Sequence, residues 1–148
     1  MQTITTAPRR ATARPVTMLQ TDQLRVVLAE DDSEMRRLVA QVLRRDGYDV
    51  VEAKNGSELL ECLETAMRVQ DRIDLVITDV RMPGLSGLQA IDWMNKVRAM
   101  HVPVLVVTAF ADRQVREQAR RLGADVLEKP FDLEELRARI RKLPLASS

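Results

Sequence analysis

Short runs of β-branched and aliphatic residues alternate five times with segments whose apolar residues recur at the helical period. This alternation is typical of βα units, in which each strand is followed by a helix that crosses over the sheet. Strands joined in this way lie parallel, and their helices cover both faces of the sheet. The sequence therefore predicts an α/β fold with a five-stranded, doubly wound parallel sheet and five helices. The predicted strands are Arg25–Ala29, Asp49–Ala53, Asp74–Thr78, Val104–Thr108 and Asp125–Glu128.

Capping residues and apolar faces predict where the helices lie. The first helix is predicted at Ser33–Arg45, and its apolar face comprises Met35, Leu38, Val39, Val42 and Leu43. The second follows the Asn55-Gly56 turn, with Leu59, Leu60, Leu63 and Met67 on its inner side. The others are predicted at Gly87–Ala99, with Leu88, Ile91 and Met94 inward, at Asp112–Leu122 and at Leu133–Lys142. Asp132 and Glu135 have the spacing of a capping box at the start of the last helix.

Length and composition fit one globular domain with an extension, since the chain has 148 residues of which 45% are hydrophobic. Residues 1–23 are rich in Thr, Ala, Arg and Pro. We expect them to form a disordered N-terminal extension, because so few apolar residues cannot offset the entropy lost on ordering. The predicted domain then spans residues 24–143, followed by a short tail at 144–148.

Charge and cysteine content limit the expected partners and compartment. The net charge is +1, so composition gives no strong case for direct nucleic acid or membrane binding. No apolar stretch approaches the roughly 20 residues that a membrane-spanning helix needs. Cys62 is the single cysteine of the chain, which excludes an internal disulfide and favours a cytoplasmic location.

Chemically active side chains follow four of the five predicted strands. Glu30-Asp31-Asp32 come after the first strand and Asp79 comes after the third. Thr108 ends the fourth strand, and Lys129 follows the fifth. Open α/β sheets bind their ligands beyond the carboxyl ends of the strands. These side chains therefore form one site if the strands are parallel neighbours.

Clustered carboxylates at such a site predict a divalent cation. Like charges a few ångströms apart repel one another, and a hard cation relieves that repulsion. Ligand sets made only of oxygen atoms favour Mg²⁺, with Mn²⁺ as the other candidate.

The order of these motifs resembles the receiver domain of bacterial response regulators. An acidic triplet after strand one, Asp-Val-Arg-Met-Pro-Gly after strand three, Thr-Ala after strand four and Lys-Pro-Phe after strand five all fit that family. The resemblance covers about residues 25–142. It implies the flavodoxin-like strand order 2-1-3-4-5, which places strands one and three side by side. It also implies that the Lys129–Pro130 peptide is cis.

The resemblance assigns a role to each matching residue. Asp79 would be the phosphoacceptor, assisted by Lys129 and Thr108. The magnesium ligands would be Asp31 and Asp79 directly, Glu30 mostly through water, and the backbone carbonyl of Arg81.

The resemblance also implies partners. The phosphoryl donor would be a sensor histidine kinase or a histidine phosphotransfer protein. A downstream protein would bind the face formed by helix four, strand five and helix five. The domain would be a monomer or a weak, phosphorylation-dependent dimer, and it would catalyse only its own phosphorylation and dephosphorylation.

Three positions depart from, or vary within, the family pattern. Many receivers have Tyr or Phe three residues before the lysine, where this chain has Val126. The switch residues are therefore predicted to be Thr108, Phe110 and Val126, with Phe110 either replacing the missing ring or simply packing in its loop. Arg81 and Phe110 flank the predicted phosphoacceptor and could screen it from water, which favours slow self-dephosphorylation.

Two other functions remain open at this point. The domain could be a degenerate receiver that acts as a phosphorylation-independent interaction module, although its acid, Thr and Lys set is complete. A hydrolase with a nucleophilic aspartate, similar to haloacid dehalogenases, is the other hypothesis. Such enzymes place the nucleophile after the first strand, whereas Asp79 follows the third.

Overall fold

The computed structural model describes residues 23–98 and 101–145. Its sheet has five parallel strands in the order β2-β1-β3-β4-β5. The predicted fold class and strand order are therefore confirmed. The strands are β1 (Arg25–Ala29), β2 (Asp49–Ala53), β3 (Leu75–Thr78), β4 (Val104–Thr108) and β5 (Asp125–Glu128).

Five helices connect or follow the strands. They are α1 (Ser33–Arg45), α2 (Gly56–Val69), α3 (Gly87–Arg98), α4 (Arg113–Arg121) and α5 (Leu133–Arg141). Asp32, Asn55, Asp112 and Asp132 cap the N-termini of α1, α2, α4 and α5, each accepting a backbone N–H of the first turn. The capping box of Asp132 and Glu135 is present as predicted.

The predicted boundaries differ from the observed ones by single residues. β3 begins at Leu75, and the buried carboxylate of Asp74 just before it accepts the Arg25 N–H at 2.7 Å. Asp112, Leu122 and Lys142 cap their helices from outside. The predictions for residues 1–22, Ala99 and 146–148 lie outside the described residues.

The predicted apolar face of α1 is wrong at Leu38, whose surface is 48% exposed. The predicted Val39, Val42 and Leu43 are buried, and Arg36 and Ala40 are buried with them. Arg36, Val39, Ala40 and Leu43 form a stripe spaced at i, i+3, i+4 and i+7. Hydrophobic periodicity could not include Arg36, which is buried because its guanidinium reaches polar groups of the sheet.

The sheet separates two apolar cores, as a doubly wound fold requires. Alternate strand residues point to opposite faces, so neighbouring positions enter different cores. One core packs β-strand side chains against α2, α3 and α4, and contains Val27, Val76, Val106, Leu59, Leu63, Leu88, Ile91, Met94 and Ala119. The other packs the sheet against α1 and α5, and contains Leu28, Ile77, Leu105, Val107, Val39, Leu43, Leu136 and Ile140.

Two side chains predicted on the inner side of α2, Leu60 and Met67, are only partly buried. Ala66 is buried on that helix together with Leu59 and Leu63.

Within the described residues, no helix has the length and apolar character needed to cross a membrane.

Helix α3 begins against the carboxyl end of β3 at a position that only glycine fits. A methyl group on Gly87 would lie 2.3 Å from the Thr78 hydroxyl oxygen and 2.4 Å from the Asp79 carbonyl oxygen. Part of this close approach is to backbone, so it cannot be relieved by side-chain rotation alone. The absence of a Cβ at Gly87 therefore sets how closely α3 approaches the loop that carries Asp79.

We predict that Gly87→Ala lowers the free energy of unfolding by about 1–3 kcal/mol, the usual loss from overpacking. The loss should occur even though alanine favours helix more than glycine does. Urea-induced unfolding would measure it. Gln114→Ala, at an exposed position of α4, is the control and should change the same free energy by less than about 0.5 kcal/mol. If Gly87→Ala were as stable as the wild type or more stable, the close approach of Gly87 to Thr78 and Asp79 would be contradicted.

Candidate functional site

Strand pairing brings the predicted site residues to one edge of the sheet. Ala29 pairs with Thr78, and Asp79 N–H donates to the Ala29 carbonyl at 3.1 Å. The segments that follow β1 and β3 therefore leave the sheet side by side. On the other side, Lys129 N–H donates to the Thr108 carbonyl at 2.8 Å. The carboxyl ends of all four strands thus contribute to one site, as predicted for parallel neighbours.

Three carboxylates form the centre of this site. Glu30, Asp31 and Asp79 each offer an oxygen, and these oxygens lie within 4.8 Å of one another. Glu30 and Asp79 are buried, with 2% and 5% of their surface exposed, whereas Asp31 is exposed. An oxygen-only donor set with one solvent-facing member fits a hard divalent cation that retains water ligands. These three residues could therefore hold Mg²⁺ or Mn²⁺.

The Lys129 ammonium joins two of the three acids. Its Nζ lies 2.8 Å from Glu30 Oε1 and 2.8 Å from Asp79 Oδ2. The sequence predicts Lys129 at the site, whereas its bridge between both buried carboxylates is a finding of the structure. Since only 17% of its side chain is exposed, the ion pairs are largely shielded from solvent.

Burial and charge pairing set the protonation of this group. Burial raises the pKa of Glu30, and the hydrogen bonds from Lys129 and from the Asp32 backbone offset that effect only in part. Burial lowers the pKa of Lys129, but its hydrogen bonds to Asp79 and Glu30 outweigh burial, so the pKa of Lys129 is raised overall. Lys129 is therefore a cation at neutral pH and gives the acidic cluster a positive partner.

Backbone groups orient the remaining oxygens of the cluster. Asp79 Oδ1 accepts the Arg81 N–H at 3.2 Å, which holds the start of the turn after β3. Glu30 Oε2 accepts the Asp32 N–H at 3.2 Å. In each buried carboxylate, one oxygen thus accepts a hydrogen bond from Lys129 and the other accepts one from a backbone N–H. Together the two bonds fix the plane of the carboxylate. The assignment of the Arg81 carbonyl as a metal ligand stays a prediction.

Thr108 is fully buried at the end of β4. Its hydroxyl oxygen accepts the Phe110 N–H at 3.0 Å, so it anchors the loop that leads to α4. The hydroxyl proton remains available for donation. Thr108 is therefore placed to connect the site with the β4–α4 loop.

The two residues predicted to flank the phosphoacceptor contact each other. The Arg81 guanidinium lies over the Phe110 ring, 4.1 Å from its centroid, in a cation–π contact. Phe110 is 47% exposed, so its ring covers the loop from outside and does not fill a core position. This pairing joins the β3–α3 and β4–α4 loops across the site, and sequence analysis had not predicted the contact.

Two further predictions concern β5 and its end. The Lys129–Pro130 peptide is cis, as predicted. Val126 is buried where many receivers have an aromatic ring, and the Arg139 guanidinium donates to its carbonyl. Among the described side chains that sequence analysis did not assign to the site, Arg36 also reaches it, through the Glu30 carbonyl.

The comparisons with known proteins agree with this geometry. The family described as "Response regulator receiver domain" matches residues 26–141. The chain is 30% identical over 126 residues to sporulation initiation phosphotransferase F of Bacillus subtilis, covering 84% of this chain and 97% of that protein. It is 40% identical over 114 residues to transcriptional regulatory protein PdtaR of Mycobacterium tuberculosis, covering 76% of this chain and 52% of that protein. The chain thus spans only about half of PdtaR, and 47% of the B. subtilis transcriptional regulatory protein YrkP.

Solved structures show the same relationship. The receiver domain of HemR from Leptospira biflexa superposes with a TM-score of 0.69 at 31% identity, covering 81% of this chain and 93% of that one. A CheY-like receiver domain from Methanospirillum hungatei, at 23% identity, shares the fold with a TM-score of 0.72, covering 82% and 93%. With the family pattern spanning most of the chain and the motif residues gathered at one site, this protein belongs to the response regulator receiver domain family.

Proposed function

We propose that this receiver domain accepts a phosphoryl group on Asp79 from the histidine of a sensor histidine kinase or a histidine phosphotransfer protein. The placement of Asp79 is the observation that carries the proposal. Its carboxylate is buried beside a second buried acid, with one oxygen 2.8 Å from an ammonium. Grouping buried acids opposes folding, and such arrangements cluster at functional sites.

The chemical groups at this site suggest how the phosphoryl group is transferred. An oxygen of the Asp79 carboxylate attacks phosphorus, an O–P bond forms, and the bond between phosphorus and the donor imidazole nitrogen breaks. The electron pair of that bond leaves with the imidazole. Negative charge then resides on the phosphoryl oxygens, where the Lys129 ammonium pairs with one oxygen and the Thr108 hydroxyl donates to another.

Magnesium, when bound, neutralises charge on the phosphoryl oxygens during transfer. We propose that Asp31 and Asp79 ligate it directly, that Glu30 acts mostly through water, and that the Arg81 backbone carbonyl completes the protein ligands. The gathering of three carboxylate oxygens within 4.8 Å supports this set. Mn²⁺ prefers the same ligands and is expected to substitute.

We predict that acetyl phosphate and Mg²⁺ add one phosphoryl group to the protein, detected by intact mass spectrometry. Asp79→Asn should remove the nucleophile and abolish the addition. Chelation with EDTA, or Asp31→Ala, should greatly slow it. Glu34→Ala removes an exposed acid outside the cluster and should label as the wild type does.

The outcomes separate the alternatives. Equal labelling of Asp79→Asn would overturn the assignment of the phosphoacceptor. No labelling of the wild type, by either acetyl phosphate or a phosphorylated histidine protein, would instead favour a phosphorylation-independent interaction module.

Phosphorylation is proposed to act on the β4–α4 loop. If the Thr108 hydroxyl turns toward a phosphoryl oxygen, its hydrogen bond with the Phe110 N–H weakens. Arg116 ties the same loop to β5, because its guanidinium donates to the Ala111 carbonyl at 3.1 Å and to Glu128 at 3.2 Å. Glu128 immediately precedes Lys129. Changes at either phosphoryl-binding residue therefore reach α4 through Arg116.

We predict that beryllofluoride, as a phosphoryl mimic, changes amide exchange mainly in the segment from Thr108 to Arg120. Val126 should change little, because valine has neither the ring nor the hydroxyl to follow Thr108. Exchange measured by mass spectrometry with and without beryllofluoride would show this, with Asp79→Ala as the control that should not respond. Changes confined to β5 would show that the signal leaves by another route.

The face formed by α4, β5 and α5 is proposed to bind the downstream protein. Arg113, Arg116 and Arg120 are all exposed there. Arg116 pairs with Glu128, and Arg120 lies 3.8 Å from Glu117, so the basic face is partly neutralised. A tilt of α4 would rearrange these charges. We propose that the domain itself acts on proteins, in the cytoplasm, as a monomer or a weak, phosphorylation-dependent dimer.

Lys129 is proposed to hold the acids together until the phosphoryl group arrives. We predict that Lys129→Ala lowers the free energy of unfolding in EDTA by about 3 kcal/mol, the lower end for a broken buried ion pair. Protonation of Glu30, whose pKa is raised, can relieve part of the repulsion between its carboxylate and that of Asp79. Urea-induced unfolding would measure the change.

Lys54→Ala is the matched control, because Lys54 forms an exposed pair with Glu58 at 3.9 Å. It should change the free energy of unfolding by at most about 1 kcal/mol. Adding Glu30→Gln to Lys129→Ala should restore part of the loss. Equal, small effects of the two lysine substitutions would show that Lys129 does not compensate the buried acids.

A further inference from the structure

Arg36 is a buried cation that the proposed phosphoryl transfer does not use. It lies on the first turns of α1, faces the sheet and has only 9% of its surface exposed. Its Nη1 donates to the backbone carbonyl of Glu30 at 2.9 Å, and its Nε donates to Glu52 Oε1 at 3.2 Å. Burying a guanidinium is unfavourable unless its donors are matched in this way. Its two partners therefore fix where the guanidinium lies.

The bond to the Glu30 carbonyl acts on a particular peptide. That carbonyl belongs to the peptide unit whose nitrogen is the amide of Asp31, so its plane determines the directions in which both residues leave the chain. On the other side, Glu30 N–H donates to the Ala53 carbonyl at 3.0 Å. The peptide before Glu30 is thus held from β2, and the peptide between Glu30 and Asp31 is held by Arg36 of α1.

We propose that Arg36 is a positioning residue that holds the Glu30–Asp31 peptide in the orientation required for divalent cation binding. The inference rests on the proposed magnesium site and adds a residue that touches no ligand itself. Asp31 is exposed, so few contacts of its own side chain oppose rotation about this peptide. Removing a residue that hydrogen-bonds to a metal ligand and orients it commonly weakens the affinity for the metal by about 10–100-fold.

The neighbouring arginine gives a matched control. Arg44 donates to the other oxygen of Glu52 at 3.1 Å and to the Val50 carbonyl at 2.9 Å. It shares the Glu52 carboxylate with Arg36, and among the described residues its hydrogen bonds do not include Glu30. Arg44→Met therefore perturbs the ties between α1 and β2 while leaving the Glu30 carbonyl bonded.

Calorimetric titration of the whole chain with MgCl₂ tests the proposal. Arg36→Met should raise the Kd for Mg²⁺ by about tenfold or more, whereas Arg44→Met should leave it near the wild-type value. Arg36→Lys, which retains the charge and a donor, should give an intermediate Kd. In EDTA, amide exchange at Asp31 and Asp32 should be faster in Arg36→Met than in Arg44→Met.

The rate of labelling by acetyl phosphate gives an independent measurement. For Arg36→Met the Mg²⁺ concentration at half the maximal rate should rise by the same factor as the Kd. The maximal rate at saturating Mg²⁺ should stay near that of the wild type, because Arg36 contacts neither Asp79 nor Lys129 in the described structure.

Each other outcome contradicts the proposal. If Arg36→Met is less stable but binds Mg²⁺ with an unchanged Kd, the role of Arg36 is purely structural. If the Kd rises equally in Arg44→Met, the effect belongs to all the hydrogen bonds between α1 and β2 and not to Arg36. If Arg36→Met does not fold, Arg36→Lys decides, and a wild-type Kd in that variant overturns the proposal. Failure of the wild type to bind Mg²⁺ would overturn the proposed metal site as well, whereas equal binding by wild type and Arg36→Met would overturn only the role of Arg36.

Discussion

The two ion pairs of Lys129 are the interaction on which the site depends. Two carboxylates are buried at the carboxyl edge of the sheet, and Lys129 lies 2.8 Å from an oxygen of each. Without a cation their repulsion would drive protonation or local unfolding. With the lysine, both acids stay in place and one of them can still act as a nucleophile. In the proposed transfer, the same ammonium is the group that responds when charge moves from Asp79 to a phosphoryl group.

Strand register explains why residues separated by up to 99 positions meet at this point. β1 and β3 are neighbours, and backbone hydrogen bonds continue the pairing past Ala29 to Asp79 and past Thr108 to Lys129. Parallel strands end at the same edge, so side chains that immediately follow neighbouring strands come together there. Gly87 then allows α3 to approach that edge closely. The geometry of the site follows from ordinary sheet pairing and needs no unusual backbone in the strands.

Sequence patterns predicted much of this architecture because the relevant signals are local. Periodicity located the strands and helices, and the residues after each strand identified Glu30, Asp31, Asp79, Thr108 and Lys129 as a group. The strand order came from family resemblance, since crossover topology leaves little trace in periodicity. Tertiary contacts explain the misses. Leu38 follows the helical period yet is exposed, and the Arg81–Phe110 contact joins two loops whose separation no local pattern reveals.

Arg36 shows a further limit of hydrophobic patterns, and its chemistry complements that of Lys129. A guanidinium has a planar fork of donors and remains charged, so it suits a permanent link between a backbone carbonyl and the Glu52 carboxylate. An ammonium on a flexible stem makes bonds of 2.8 Å here and can redirect them when its partners change. Arg36 holds the backbone of the acidic cluster, while Lys129 neutralises its side chains. Under the proposed mechanism, exchanging the two residue types would loosen the proposed metal site and leave a cation less able to follow the phosphoryl group.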